Sequence, residues 1–159
     1  MGELAHQLFI STVLVAATVL VHLIGLDVLL SLTGAHLRRF QTAWLRLDRL
    51  IVPLGIVLGL FVLHGLEIWL YAFAYRLLGA LPDLEQSLYF STSAYSTLGE
   101  AGAVLPPAFR VVGVLEAVNG MLLIGWSTAF LFHVLNHLLV LPEEHPLPRG
   151  AISRRRHLH

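Results

Sequence analysis

The sequence has no cysteine and no lysine, and it carries few charges of any kind. Of its 159 residues, 13% are charged and 57% are hydrophobic, whereas a soluble domain usually has about 25% charged residues. The lack of cysteine excludes disulfides and thiolate metal sites. The formal net charge is zero at pH 7, so nothing in the overall charge indicates a nucleic-acid partner. The low fraction of charged residues and the high fraction of hydrophobic residues indicate a membrane protein.

Charged residues are nearly absent from three long segments, at about 8–32, 51–79 and 109–140. A helix rises about 1.5 Å per residue and a bilayer core is about 30 Å thick, so each segment is long enough to span. The first segment is too long for a signal-peptide core, and no basic residue precedes Arg38. We therefore predict an all-α membrane domain over 1–141 with three transmembrane helices.

The ten basic residues are all arginine, and their positions predict the orientation in the membrane. They cluster in the loop at 33–50 and in the tail at 142–159, and none lies within 80–108. By the positive-inside rule, the loop and the tail are cytoplasmic, while the N-terminus and the 80–108 region face outside. The loop has the pattern of an amphipathic helix on the inner leaflet, or of an extension of a neighbouring helix. We predict a multi-pass protein of the cell membrane, with anionic lipids as partners of the basic tail.

The segment 80–108 has the pattern of a short helix followed by irregular backbone. Asp83 is a candidate N-cap, with Gln86 three positions later. The helix would cover about 84–96, which is too short to span a bilayer, and it is rich in serine and threonine. Non-helical backbone at membrane depth must be shielded by protein or line a water-filled path. We therefore predict a re-entrant pore helix and filter loop, shielded by assembly of several copies.

Two stretches, SLYFSTSAYSTLG from Ser87 and EAVNGMLLIGWSTAFLF from Glu116, carry a family resemblance. They resemble the pore helix with the start of the filter, and the inner helix, of the potassium-channel superfamily in its small prokaryotic form. The resemblance covers about residues 50–140 and implies a homotetramer around a central pore. Its parts would be an outer helix 51–79, a pore helix 84–96, a filter 97–102 and an inner helix 109–140, with the additional helix 8–32 on the lipid side.

The resemblance also assigns the filter chemistry. In that family, filter backbone carbonyls replace the hydration shell of a permeant cation, which implies this role for Thr97, Leu98 and Gly99. The next residues, Glu100, Ala101 and Gly102, depart from the family's Tyr-Gly-Asp pattern. Alanine at the second filter glycine costs about 1–2 kcal/mol. The departures therefore predict an altered or wider filter, and they argue against strict potassium selectivity.

Glu100 has two alternative orientations. If it faces the axis, four copies form a carboxylate ring that binds divalent or hydrated monovalent cations by charge. If it points behind the filter, as the family's tyrosine does, it needs a buried partner. Apart from the permeant cation, no cofactor and no bound metal are predicted.

Ionisable side chains within predicted spans are costly and usually have partners. Four occur in the first two spans, namely His22, Asp27, His64 and Glu67. They are expected to form a polar network that joins the outer helices to the pore helix, with Glu67 bonding serine or threonine. Alternatives are proton sensing by His64 and Glu67, which share a helix face, and metal or haem ligation by His22 with His64.

The inner helix contributes further candidates. Glu116 and Asn119 are expected to support the filter by bonding to the pore helix or the filter loop. Gly120 lies where the family has its gating-hinge glycine. His133 and His137 share one face near the cytoplasmic end, where they either extend toward the interface or form a pH-sensitive gate.

Three aromatic residues precede Arg76 near the predicted outer end of the second span. Trp69, Tyr71 and Tyr75 are expected to form a belt at the membrane interface, where amphipathic rings are enriched.

The sequence-based prediction is a homotetrameric cation channel. Two alternatives stay open: a non-conducting membrane scaffold or regulatory subunit with the channel fold, and a bis-histidine haem or metal membrane protein. No nucleophile–base pair, phosphate loop or carboxylate dyad with enzyme spacing occurs in the sequence, so no enzymatic activity is predicted.

Overall fold

The computed structural model describes residues 2–39, 48–99 and 105–139, with side chains at 2–36, 50–99 and 105–136. These residues are almost entirely helical, and no strand occurs among them. The helices are α1 (Gly2–Arg39), α2 (Asp48–Leu77), α3 (Leu84–Tyr95), a 3-10 turn (Pro107–Phe109) and α4 (Arg110–Leu139). Three segments are long and apolar enough to cross a membrane, at Gly2–His36, Leu50–Leu77 and Pro107–Asn136. The chain is therefore a multi-pass membrane protein.

The helices occur where they were predicted, but several of their ends are shifted. α1 starts before residue 8 and continues to Arg39, so the first part of the 33–50 segment extends this helix. α2 ends at Leu77 instead of 79, and α3 ends one residue before 96. The predicted cytoplasmic tail at 142–159 lies outside the described residues.

The two N-terminal helices approach each other closely through reciprocal glycine contacts. A Cβ at Gly25 would overlap the side chain of Leu63, and a Cβ at Gly59 would overlap that of Leu29. Because the residue numbers change in opposite directions, α1 and α2 are antiparallel. Small residues of this kind let membrane helices approach each other closely, here with a leucine side chain packed over each glycine.

α3 lies between α2 and α4 and accompanies them for only part of their length. Its Phe90 joins an apolar cluster with Tyr75 and Val112 near one end of the bundle. Its last residue, Tyr95, contacts His64 in the middle of α2. Twelve residues of helix are about 18 Å long. At the other end of the bundle, the described residues that form the core come from the three long helices: Leu26, Val52, Ile56, Leu60, Leu63 and Val134.

Local hydrogen bonds define both ends of α3. The Asp83 carboxylate accepts a bond of 2.7 Å from the backbone N–H of Gln86, which confirms the predicted N-cap. At the other end, Thr97 N–H donates to Ala94 O and Leu98 N–H donates to Ser93 O. This pair of bonds is a Schellman motif, and it requires a left-handed residue directly after the C-cap. Here that residue is Thr97.

Candidate functional site

The candidate site begins where α3 ends. Thr97 has a φ of 60° and Gly99 a φ of 90°, so the backbone leaves the helix in a left-handed conformation at both positions. Glycine adopts this region freely, but a residue with a Cβ pays about 1 kcal/mol or more. Residues 97–99 are exposed in the single chain. The other predicted filter residues, Glu100, Ala101 and Gly102, lie outside the described residues.

A fully buried carboxylate anchors the C-terminal end of α3. Glu67 Oε1 lies 2.8 Å from His22 Nδ1 on α1, and Glu67 Oε2 lies 3.1 Å from His64 Nδ1. Tyr95 Oη donates to the same Oε2 and also lies 2.9 Å from His64 Nδ1. The side chains of His22 and Glu67 have no exposed surface. One carboxylate thus connects α1, α2 and α3.

This cluster differs from the predicted polar network in two respects. Glu67 bonds two imidazoles and a phenol instead of serine or threonine. Asp27 is exposed and takes no part. The sequence interpretation missed Tyr95, although a signal existed: Ser87, Ser91 and Tyr95 recur every four residues, which puts them on one face of α3, and all three are buried.

A second buried carboxylate fastens the middle of α3 to α4. Glu116 Oε1 accepts a bond of 2.5 Å from Ser91 Oγ, and Glu116 Oε2 accepts one of 2.7 Å from Tyr75 Oη. Ser91 Oγ also lies 2.9 Å from the backbone carbonyl of Ile68. The structure thus places Glu116 against α3, and its predicted support of a filter stays a prediction.

The structure contradicts the predicted interfacial position of two aromatic residues: Tyr71 and Tyr75 are at most 1% exposed, and their hydroxyls bond to groups on α4. Trp69 is 38% exposed, and its place in an interfacial belt stays a prediction.

Within the described residues, the Asn119 side chain bonds to α1 and α2 and has no hydrogen bond to α3, the predicted pore helix. Its Nδ2 donates to Thr18 Oγ1 at 2.8 Å and to Tyr71 Oη at 3.4 Å. Thr18 belongs to a buried polar stripe on α1 that sequence interpretation missed: Gln7, Ser11, Thr18 and His22. Their spacings of four, seven and four residues place them on one helix face, and this periodicity was a usable signal.

The same stripe also holds the start of α4. Gln7 Oε1 accepts a bond of 3.0 Å from the N–H of Val111, and Gln7 Nε2 lies 3.4 Å from Pro107 O. The first N–H groups of a helix have no partner within the helix, so Gln7 satisfies one of them from α1. The polar face of α1 is therefore part of the bundle interior.

The gating candidates lie in different environments. Gly120 packs directly on Tyr95, so that a Cβ would overlap its carbonyl oxygen. His133 is exposed, and the side chain of His137 lies outside the described residues. Proton sensing by His64 and Glu67, and gating by His133 and His137, stay predictions.

The cluster at Glu67 has the donor set for a metal ion but not the geometry for haem. Ligand atoms of His22, His64 and Glu67 lie within 4.8 Å of one another. The two imidazole rings are 5.6 Å apart, and both Nδ1 atoms face the same carboxylate. A bis-histidine haem instead needs its two ligating nitrogens on opposite faces of a porphyrin. The predicted haem alternative therefore does not fit these residues.

Comparison with known proteins does not assign a family or a function to the chain. No protein-family model matches the chain, and neither a curated protein nor a solved structure matches it.

Proposed function

We propose that this chain assembles as a homotetrameric cation channel, with α3 as the pore helix and residues 97–102 lining the conduction path. The observation that carries the proposal is the depth at which α3 ends. Its C-terminal Tyr95 contacts His64, in the middle of the Leu50–Leu77 span. The chain then continues as left-handed, non-helical backbone at Thr97 and Gly99.

The exposure of this backbone favours assembly of several copies. Residues 96–99 are exposed in the single chain, and Leu98 is 76% exposed. Irregular backbone at membrane depth is tolerated only where protein covers it or water lines it. A ring of copies around a central axis supplies both conditions, since each copy shields its neighbours and the axis holds water. In this arrangement the chain re-enters the membrane between α2 and α4.

The electrostatics of α3 favour a cation at its C-terminal end. The carbonyl end of a helix carries about half a negative charge, and the last turn of α3 contains no basic residue to offset it. Four such ends aimed at one cavity attract a cation before any side chain contributes. The carbonyls of Thr97, Leu98 and Gly99 are the proposed ligands, followed by a carboxylate ring from Glu100.

The buried carboxylates have a supporting function in this proposal. Glu67 holds the C-terminal end of α3 to α1 and α2, and Glu116 holds its middle to α2 and α4. A pore helix that is held at two levels keeps the carbonyls that follow it at a constant distance from the axis. By the arginine distribution, the pore helix starts from the outer side, with the N-terminus outside and the C-terminus in the cytoplasm.

The test is ion flux in proteoliposomes that contain the purified full chain. Gradients of K⁺, Na⁺ and Ca²⁺ are compared for the wild type, Glu100→Gln and the control Glu85→Gln, which alters an exposed acid at the start of α3. We expect cation flux that is poorly selective for K⁺ and that changes in conductance or divalent block only with Glu100→Gln.

Two results would contradict the proposal. The first is no flux of any cation from a folded tetramer, which would favour the non-conducting scaffold or regulatory subunit. The second is a stable monomer in both detergent and lipid, measured by native mass spectrometry, because a monomer leaves the exposed backbone at 96–99 unshielded.

A further inference from the structure

The cluster around Glu67 combines four potential metal-ligating side chains in a buried position. Three helices contribute them: His22 from α1, His64 and Glu67 from α2, and Tyr95 from α3. We infer that these residues form a binding site for a divalent transition-metal ion, with Zn²⁺ as the ion that best suits the donors. This inference does not depend on conduction, because it concerns a site within a single chain.

The donor spacing is close to that of a four-coordinate zinc site. Ligands about 2.0–2.2 Å from zinc in a tetrahedron are about 3.4 Å apart. In the structure, Glu67 Oε1 is 2.8 Å from His22 Nδ1, Glu67 Oε2 is 3.1 Å from His64 Nδ1, and His64 Nδ1 is 2.9 Å from Tyr95 Oη. No pair among the His22, His64 and Glu67 ligand atoms is separated by more than 4.8 Å. Small side-chain rotations therefore suffice to surround an ion.

The surroundings of His22 suit a metal ligand. When an imidazole binds a metal through Nδ1, its proton is on Nε2, and this N–H nearly always has a hydrogen-bond acceptor. Ser127 Oγ lies 3.5 Å from His22 Nε2, so α4 supplies that acceptor. Ser127 is itself buried, which places a polar group of the fourth helix directly behind the proposed ligand.

Charge and access also favour an ion at this place. An ionised carboxylate without exposed surface, in the middle of a membrane span, needs a positive partner, and a divalent cation supplies one. The donor set of imidazole nitrogens and oxygens suits Zn²⁺, and also Co²⁺ as a spectroscopic substitute. The His64 side chain is 18% exposed whereas Glu67 is fully covered, so the cluster opens toward the surface beside His64.

The experiment measures metal content and metal spectra of the full chain in detergent. After treatment with a chelator, the protein receives one equivalent of Zn²⁺ or Co²⁺ and is separated from free metal by gel filtration. We expect about one zinc per chain, and with Co²⁺ the intense visible bands of four-coordinate cobalt. His64→Gln keeps a hydrogen-bond donor but is a poor ligand, and we expect it to weaken Zn²⁺ binding about 100-fold or more. Ser127→Ala should weaken binding about 10-fold.

A second histidine pair provides the matched control. His133 and His137, four residues apart on α4, have a spacing that also binds zinc on a helix. We expect the double substitution His133→Gln with His137→Gln to retain the bound zinc and the cobalt spectrum. Zinc that is lost from this variant but kept by His64→Gln would overturn the inference. A wild-type chain without four-coordinate cobalt bands would also overturn it, and that result does not depend on how any variant folds.

Discussion

Replacing Gly120 by alanine tests whether this glycine is a packing contact of α4 or only a flexible point, as the predicted gating hinge would be. An ideal Cβ at this position would lie 2.9 Å from Tyr95 Cγ and 3.0 Å from Tyr95 Cα, and it would overlap the Tyr95 carbonyl oxygen. Gly125, one and a half turns further along α4, is a matched control, since a Cβ there meets nothing within 4 Å. Both substitutions have the same intrinsic effect on the helix.

The expected magnitude follows from two opposing contributions. Alanine in place of glycine stabilises a helix interior by about 0.5–1 kcal/mol. At Gly120 the new methyl group collides with backbone that cannot rotate away, because the Tyr95 hydroxyl is bonded to Glu67 and the turn after Tyr95 is fixed by the N–H bonds of Thr97 and Leu98. Overpacking of this kind costs about 1–3 kcal/mol. We therefore expect Gly120→Ala to lower the free energy of unfolding by about 1–2 kcal/mol, and Gly125→Ala to leave it unchanged or raise it slightly.

Thermal unfolding of both variants in the same detergent, followed by tryptophan fluorescence, measures the difference. For a chain of this size, a change of 1 kcal/mol shifts the midpoint by about 2–4 °C. Gly120→Ala should unfold several degrees below the wild type, and Gly125→Ala should not. If the two variants have the same midpoint, the result contradicts the close contact between α4 and Tyr95. If Gly120→Ala then changed only the gating of the ion flux, the result would favour Gly120 as a gating hinge.

Two further substitutions test the N-cap of α3 and the bond between Tyr75 and Glu116. Asp83→Ala removes the bond to the Gln86 N–H and should cost about 1 kcal/mol, whereas Asp83→Asn keeps an acceptor; equal midpoints in thermal unfolding would contradict the cap. Tyr75→Phe removes one of the two hydroxyl donors to the buried Glu116 carboxylate and should cost about 1–3 kcal/mol. Tyr89→Phe, at a side chain that is 64% exposed, should be neutral in denaturant titration, and an equal loss in both variants would refute the assigned hydrogen bond.

The interface prediction for Tyr71 and Tyr75 shows where sequence interpretation reaches its limit. A tyrosine near the end of a span has the same local sequence whether its hydroxyl meets headgroups or a buried partner. The partners here, Asn119 and Glu116, are 48 and 41 residues away in the chain. The pattern of neighbouring residues contains no information about them, so the more frequent interfacial position was predicted.

The sequence by itself determined the three spans and the start of α3. Span length and hydropathy are sums over adjacent residues, and the Asp83 cap joins groups three residues apart. The spans and the cap can therefore be predicted without knowledge of the tertiary structure. Only the tertiary structure decided that one face of α1 belongs to the interior and that Tyr95 meets Glu67. Those contacts join residues up to 105 positions apart, as between His22 and Ser127. A buried polar group needs a hydrogen-bond partner, and the packing of the helices determines which distant residue lies close enough to be that partner. Such pairs therefore depend on the tertiary structure.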